Sequence, residues 1–295
     1  MPKRVALLIA QNLASDATDR RADAYLFDVQ RQVLEAAFGP AGLTLESVRW
    51  TEEQLDWREF DAALVLACWD YQDRHEVFLA RLAEIAAAGV AIFNPLELVR
   101  WNIRKTYLRD FENWGVPIVP TVWAEAPEAG DIQAAFTAFG VEEVILKRQV
   151  GGGARGQHRF ARANAPMTGE VLDRPGMIQP LVSSIFTEGE YSFLFVDGQF
   201  SHALVKRAAP GDYRIQEAYG GRSMKIDPPA ADRARASEVL EALDTPPLYA
   251  RVDMVRGTEG GLLLMELEVL EPYLFPTEGP RIGAMLAAAL RRRLD

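Results

Sequence analysis

The residues best placed to do chemistry begin with "ILKRQVGGGARGQH", residues 145–158. Lys147 stands four residues ahead of a cluster made of Gly151, Gly152, Gly153 and Gly156. Glycines at this density mark a backbone that turns sharply or lies close to a ligand. Gly151, Gly153 and Gly156 spell G-x-G-x-x-G, but a dinucleotide loop passes straight into a helix whose N-terminus holds the pyrophosphate. Here "QHRFARANAP" follows, which reads as a short strand and a loop. A Walker loop needs Gly-Lys-Ser/Thr, which is absent. In a kinase loop the lysine comes after the glycines, and no H-R-D or D-F-G follows here. A lysine on the incoming strand suits a flexible hairpin folded over phosphates. An ordinary surface turn would use the same letters.

The second stretch is "LLLMELEVLEP". Period-two alternation puts Met265, Leu267 and Val269 on one face and Glu266 and Glu268 on the other, with Glu271 at the strand's end. A turn near Thr258–Glu259 would set Asp253 opposite residue 264, on the face of both glutamates. Three carboxylates on one patch repel unless a cation lies among them. Hard oxygen donors with room for water and phosphate suit Mg²⁺. The alternative is the solvated acidic face of an amphipathic strand.

The candidate cations are Lys105, Lys147, Lys206, Arg214, Arg222 and Arg251, all near strand ends or in glycine-flanked loops. Gathered at one site they would answer a phosphate or a developing oxyanion. Singly, each reads as a surface charge. His75, His158 and His202 have no metal-ligand spacing. Cys68 ends an apolar run and reads as packing. Ser201-His202 lacks the nucleophile-elbow context of a hydrolase.

Elements must position these residues. "VALLIA", "LTLESVRW", "AALVLAC" and "GVAIF" read as strands, alternating with helices at 21–38 and 74–88. That alternation implies a small parallel α/β layer. No glycine loop follows its first strand, so it is not an obvious nucleotide binder. A helix is expected at 103–114, ending at Gly115, then strand "PIVPTVW", helix 131–139, strand "EVILKRQV", the glycine loop and "GMIQPLV". From Glu188 onwards the texture is hairpins: "EYSFLFVDGQFSHALVK" around Asp197-Gly198, then "PLYARVDMV" and "GLLLMELEV" around "RGTEGG". Helices at 231–243 and across Ile282–Leu290 complete an α+β body.

Composition limits the function classes. The 295-residue chain is 49% hydrophobic with net charge −10, so polyanion binding, including nucleic acid, is not its main task. No segment approaches the ~18 apolar residues of a membrane helix. Lys3 and Arg4 precede apolar residues as in a signal peptide, but Val5–Ala10 is too short a run and reads as an opening strand. One cysteine rules out an intramolecular disulfide and fits a reducing, cytoplasmic setting.

Taken in order, these pieces resemble the ATP-grasp superfamily: a lysine helix, a strand lysine leading into a glycine loop, a Gln-Pro hinge, the long hairpin, then Asp followed by Glu-x-Glu. "CWDYQDR", "NPLELVRWNIRKTYL", "YARVDMV" and "ELEVLEP" are similar to the glutathione-synthetase-like branch and, within it, to the D-cycloserine synthetase (O-ureidoserine cyclo-ligase) type. The likeness runs from about Val5 to the end.

The resemblance implies α/β and α+β architecture. Residues 1–94 would be a Rossmann-like pre-ATP-grasp domain, 95–185 linker helices with a small glycine-loop lid, and 186–295 the antiparallel-sheet body. It implies that Lys105 and Lys147 grip nucleotide phosphates and that Gly151, Gly152, Gly153 and Gly156 form the mobile loop over them. Gln179, Pro180, Leu181 and Val182 would be the adenine hinge, and Glu190 would hold the ribose. Asp253, Glu266 and Glu268 fall on the Mg²⁺ ligands, two ions being expected, with Glu268 where many members carry Asn. Arg214 and Arg251, with Lys206 beside them, would stabilise the acyl-phosphate and its transition state. Trp69, Asp70, Tyr71 and Arg74 are candidates for the carboxylate substrate, though Trp69 and Tyr71 would equally suit domain packing.

The implied activity is an ADP-forming carboxylate–amine ligase or intramolecular cyclo-ligase acting on small molecules through an acyl-phosphate. Homodimers are common in that branch. The alternatives are an ATP-binding module without ligase activity, or a phosphotransferase that stops at a phosphorylated small molecule.

Overall fold

The computed structural model describes residues 2–216 and 219–295. Strands β1 (Lys3–Ile9), β2 (Leu43–Arg49), β3 (Ala62–Ala67) and β4 (Ala91–Phe93) form a parallel sheet in the order β2-β1-β3-β4. Every residue of β3 is buried, as expected for a parallel sheet covered on both faces. Val5, Leu7 and Ile9 of β1 face a core shared with helix α1 (Ala24–Phe38), while Ala6 and Leu8 face a core shared with α2 (His75–Ala87). The expected alternation of strand and helix is therefore present.

The helix expected at 103–114 is shorter, and it is preceded by another: α3 (Leu96–Asn102) comes first, then α4 (Tyr107–Asn113), with Lys105 in the turn between them. Asn102 donates to the Leu267 carbonyl at 2.9 Å, and the Tyr107 hydroxyl accepts from the Leu267 N–H at 2.9 Å. The Lys105 N–H leaves the helical ladder for Gln149 O.

"PIVPTVW" also differs from expectation. Only β5 (Val122–Ala124) joins the next sheet, while Ile118 bridges to Leu264, because Pro117 and Pro120 interrupt a continuous ladder. Helix α5 (Ala129–Phe139) backs an antiparallel sheet in which β5, β6 (Glu143–Arg148), β7 (His158–Ala161) and β8 (Gly176–Pro180) run in the order β5-β8-β6-β7. The glycine loop is the β6–β7 connection, so a strand follows it rather than a helix.

After the short α6 (Ser184–Thr187), β9 (Glu190–Val196) and β10 (Gln199–Arg207) form the expected hairpin. Asp197 and Gly198 take φ of 52° and 74°, as the right-handed strand twist favours at a two-residue turn. β11 (Arg222–Ile226), helix α7 (Ala230–Glu241), β12 (Tyr249–Arg256) and β13 (Leu262–Glu268) follow, and the sheet order is β11-β10-β9-β12-β13. β11 was not legible beforehand, since its residues are mostly exposed and polar.

The chain closes with α8 (Ile282–Leu294), which packs against α1. Gly283 permits the approach: a Cβ there would lie 2.9 Å from Val33 O. Tyr249 of β12 donates from its hydroxyl to both Val65 O and Phe93 O at 2.8 Å, tying the large sheet to the first one. Among the described residues, no helix is long and apolar enough to cross a membrane.

Candidate active site

The register of β12 on β13 decides the site. Asp253 pairs directly with Glu266 and Arg251 with Glu268, whereas Met254 pairs with Leu264. Met265 is thus the extra residue of a β-bulge. The expected partner of Asp253, residue 264, is two positions out, and Met265 does not share a face with Leu267 and Val269. Without the bulge, strict alternation would put Asp253 and Glu266 on opposite faces. With it, Leu267 and Val269 enter the core, while Met265 lies on the same side as the carboxylates and lines a cleft.

That cleft lies open to solvent between the small sheet and the large one. Its lining brings together Lys147, Gln179, Pro180, Leu181, Val182, Glu190 and Arg214, all singled out from sequence. Sequence reasoning missed its apolar walls, among them Val119, Ile145, Ile185, Ile215, Val255 and Met265. These residues come from six separate segments, so no local pattern marks them. Gln179 is buried on β8 and donates from its side chain to Thr121 Oγ1 at 3.0 Å.

At the cleft's inner end runs a chain of charges. Lys206 Nζ lies 2.5 Å from Glu190 and 3.2 Å from Asp253. Arg251 lies 2.9 Å from Asp253 and also contacts Glu268. Ser192 donates to Asp253 as well. Burial works against the charge of Asp253, but Arg251 and Lys206 hold its pKa down to about 2. Burial pushes Glu268 up to about 8, opposed by Arg251 and reinforced by Glu266 and Asp253. Burial likewise carries Glu271 to about 7, with Lys105 and the Tyr71 hydroxyl opposing it.

Lys105 reaches the same place from the α3–α4 turn. Its ammonium donates to Glu266 at 2.5 Å and to Gly151 O at 2.7 Å, joining the carboxylate hairpin to the glycine loop. Lys147 has no ion-pair partner among the described residues, and burial lowers its pKa. A half-buried ammonium without an ion-pair partner is what an incoming phosphate would complete. Arg214 is held bidentately by Asp212 and stacks 3.8 Å from the Tyr219 ring centroid, on the rim. Arg222 heads β11, exposed, opposite Arg207, and is not part of the group.

The candidates for the carboxylate substrate have other duties in this arrangement. Asp70 accepts from Trp50 Nε1 at 2.6 Å and from the Gln11 N–H at 2.9 Å, and Arg74 lies over the Trp50 ring. Trp69 donates to Glu271 O at 2.9 Å, and Tyr71 is buried against Phe78. His158 lies apart on β7, Cys68 is buried with its thiol directed at Leu8 O, and His202 is buried beside Ser201.

The donors fit Mg²⁺ in kind: three hard carboxylates in a low-dielectric site, two of them destabilised by one another. As the side chains stand, no three acidic, histidine or cysteine side chains of the described residues close around one point. Lys105 and Arg251 each hold one glutamate, and an arriving cation would compete for those contacts.

The chain is similar to known proteins in sequence and in fold. A family described as the N-terminal domain of D-cycloserine synthetase DcsG matches residues 5–94. The cycloserine biosynthesis protein DcsG of Streptomyces lavendulae is 31% identical over 272 residues, spanning 86% of this chain and 90% of that one. The crystal structure of D-cycloserine synthetase DcsG superposes with a TM-score of 0.84 at 26% identity, over 99% of this chain and all of the other. The ATP-grasp ligase PsnB, complexed with a minimal precursor, Mg and ADP, shares the fold at a TM-score of 0.63 and 14% identity, with 98% of each chain covered.

Proposed function

Because the chain belongs to the D-cycloserine synthetase family of ATP-grasp ligases, we propose that it is an ADP-forming carboxylate–amine ligase or cyclo-ligase, using ATP and Mg²⁺. The observation that carries this reading is the cleft: apolar walls with Lys147 and Glu190 in its lining, Glu190 leading through Lys206 to Asp253 and the carboxylate hairpin.

Adenine would lie between Ile145, Ile185 and Met265, against the main chain of Gln179–Val182. Glu190 would accept from the ribose hydroxyls. Lys147 and Lys105 would hold phosphate oxygens under the loop carrying Gly151, Gly152, Gly153 and Gly156. Asp253, Glu266 and Glu268 would hold Mg²⁺, two ions in this reading, which when bound neutralise charge on the phosphates. In this reading residues 95–185 would supply the linker helices and the small glycine-loop lid between 1–94 and 186–295.

The chemistry then needs no side-chain nucleophile. A substrate carboxylate attacks the γ-phosphate, and the resulting acyl-phosphate is taken by an amine. Arg251, fixed by Asp253 and Glu268, is placed to face the negative charge that grows on the acyl group, and Arg214 approaches from the rim. The loop must exclude water, because an acyl-phosphate hydrolyses in the open. Glu268 in place of Asn makes this site more anionic than that of many relatives.

Incubating the protein with ATP, Mg²⁺ and a panel of amino acids and hydroxamate precursors should release ADP and phosphate in step with one product. Release of AMP instead would overturn the mechanism.

A further inference from the structure

The loop after β3 touches all three sheets. Trp69 and Tyr71 reach Glu271, just past β13. Asp73, on the same loop, faces the small sheet and receives three arginines. Arg148, at the end of β6, lies 2.5 Å away; Arg174, ahead of β8, lies at 3.3 Å; and Arg155, in the glycine loop, lies at 3.5 Å.

Arg148 matters most, because the glycine loop is wrapped around it. A Cβ added at Gly151 would lie 3.3 Å from Arg148 Cβ, and one at Gly156 would lie 2.9 Å from Arg148 Cδ. The Arg148 side chain is only 10% exposed, and its guanidinium donates to Asp73 while its Nε is buried without a hydrogen-bond partner. The loop's position is therefore set by Arg148, and that of Arg148 by a carboxylate on the first sheet.

We propose that Asp73 is a positioning residue that latches the glycine loop against the first sheet and so keeps water from the reacting phosphoryl group. The latch is a contact within this chain; its effect on turnover rests on the ligase reading above. With the latch weakened, water's oxygen bonds the acyl carbon of the acyl-phosphate and the bond from that carbon to the phosphate oxygen breaks. Carboxylate and phosphate leave, and ADP has formed without product.

Hydrogen exchange of residues 150–157, alone and with a non-hydrolysable ATP analogue and Mg²⁺, tests the latch directly. Asp73→Asn should raise exchange about tenfold, the scale of one lost charge-assisted hydrogen bond, and Asp73→Glu should restore protection. Wild-type protection in Asp73→Asn, or a Glu variant as unprotected as Asn, overturns the proposal. Should Asp73→Asn fail to fold, Arg148→Lys keeps the positive charge but gives up the guanidinium that meets Asp73. Raised exchange there supports the latch, and wild-type protection overturns it. With an accepted substrate, Asp73→Asn should also release severalfold more ADP per product at an unchanged KM for ATP, and an unchanged ratio overturns the coupling. If no substrate is turned over by the wild type, the ligase reading fails while the exchange result still decides the latch.

Discussion

Lys206 lies between two buried carboxylates, Glu190 and Asp253, that would otherwise face each other. Replacing it with methionine keeps the stem but removes the charge. Glu190 then loses its ion-pair partner while Asp253 keeps Arg251 and Ser192, and breaking a buried pair of this kind costs roughly 3–5 kcal/mol. Lys206→Met should therefore move the urea unfolding midpoint down sharply, and a midpoint equal to the parent's would mean the carboxylates do not depend on it. Glu266→Gln makes the complementary test, as it preserves shape and loses charge where Lys105 and the proposed Mg²⁺ meet. ADP release should fall roughly a hundredfold or more, the scale of a lost electrostatic contact at a reacting centre. Unchanged release would remove Glu266 from the site.

Among the elements, the glycine loop and the β12–β13 hairpin do most to build the site. Gly156 has φ of +71° and closes against Arg148. Gly156→Ala adds strain of about 1 kcal/mol, confined to the loop. The expected outcome is a severalfold drop in kcat/KM with a melting point shifted by no more than a few degrees; a large loss of Tm with normal kcat/KM would refute the loop's role. The hairpin shows why element-level reading reached only part of the site. The strands were legible from alternation, but Asp253 was expected on the glutamates' side through a register opposite residue 264, whereas in the observed register it is the bulge that puts it there. The bulge at Met265 was not, because nothing local distinguishes an unpaired residue from its neighbours. The same limit applies to the break at Lys105, which is made by Asn102 and Tyr107 holding a backbone more than a hundred residues away.

At the scale of the whole molecule, the C-terminal segment returns to the first sheet and the large sheet together, and His202 shows how tightly. It is buried on β10 with Gly279 packed on its ring, where a Cβ would lie 2.0 Å from Nδ1. Burial, with Lys225 nearby, lowers its pKa to about 4 from an ordinary value near 6.5. The unfolded chain therefore binds the extra proton first: the penalty is absent above pH 6.5 and grows as pH falls towards about 4. It amounts to roughly 3 kcal/mol at full extent. Stability should decline across that window, and His202→Gln should flatten the decline. An identical pH profile in the variant would show that other groups govern acid sensitivity.

The sequence by itself determined the alternating α/β layer, the hairpins, and the order of lysine, glycine loop, hinge and acidic strand, because periodicity and turn chemistry are local. It also supplied Lys147, Gln179, Glu190 and Arg214 of the cleft's polar lining, through their types and their resemblance to a family, but not Gln157, Tyr213 or Gln216. Tertiary structure alone decided that Met265 faces the cleft and that Asp253 answers Glu266. It also decided that Asp70 serves Trp50 and that Asp73 gathers three arginines. Each of those depends on register or on segments far apart in the chain meeting in space, and neither leaves a mark on any one stretch of sequence.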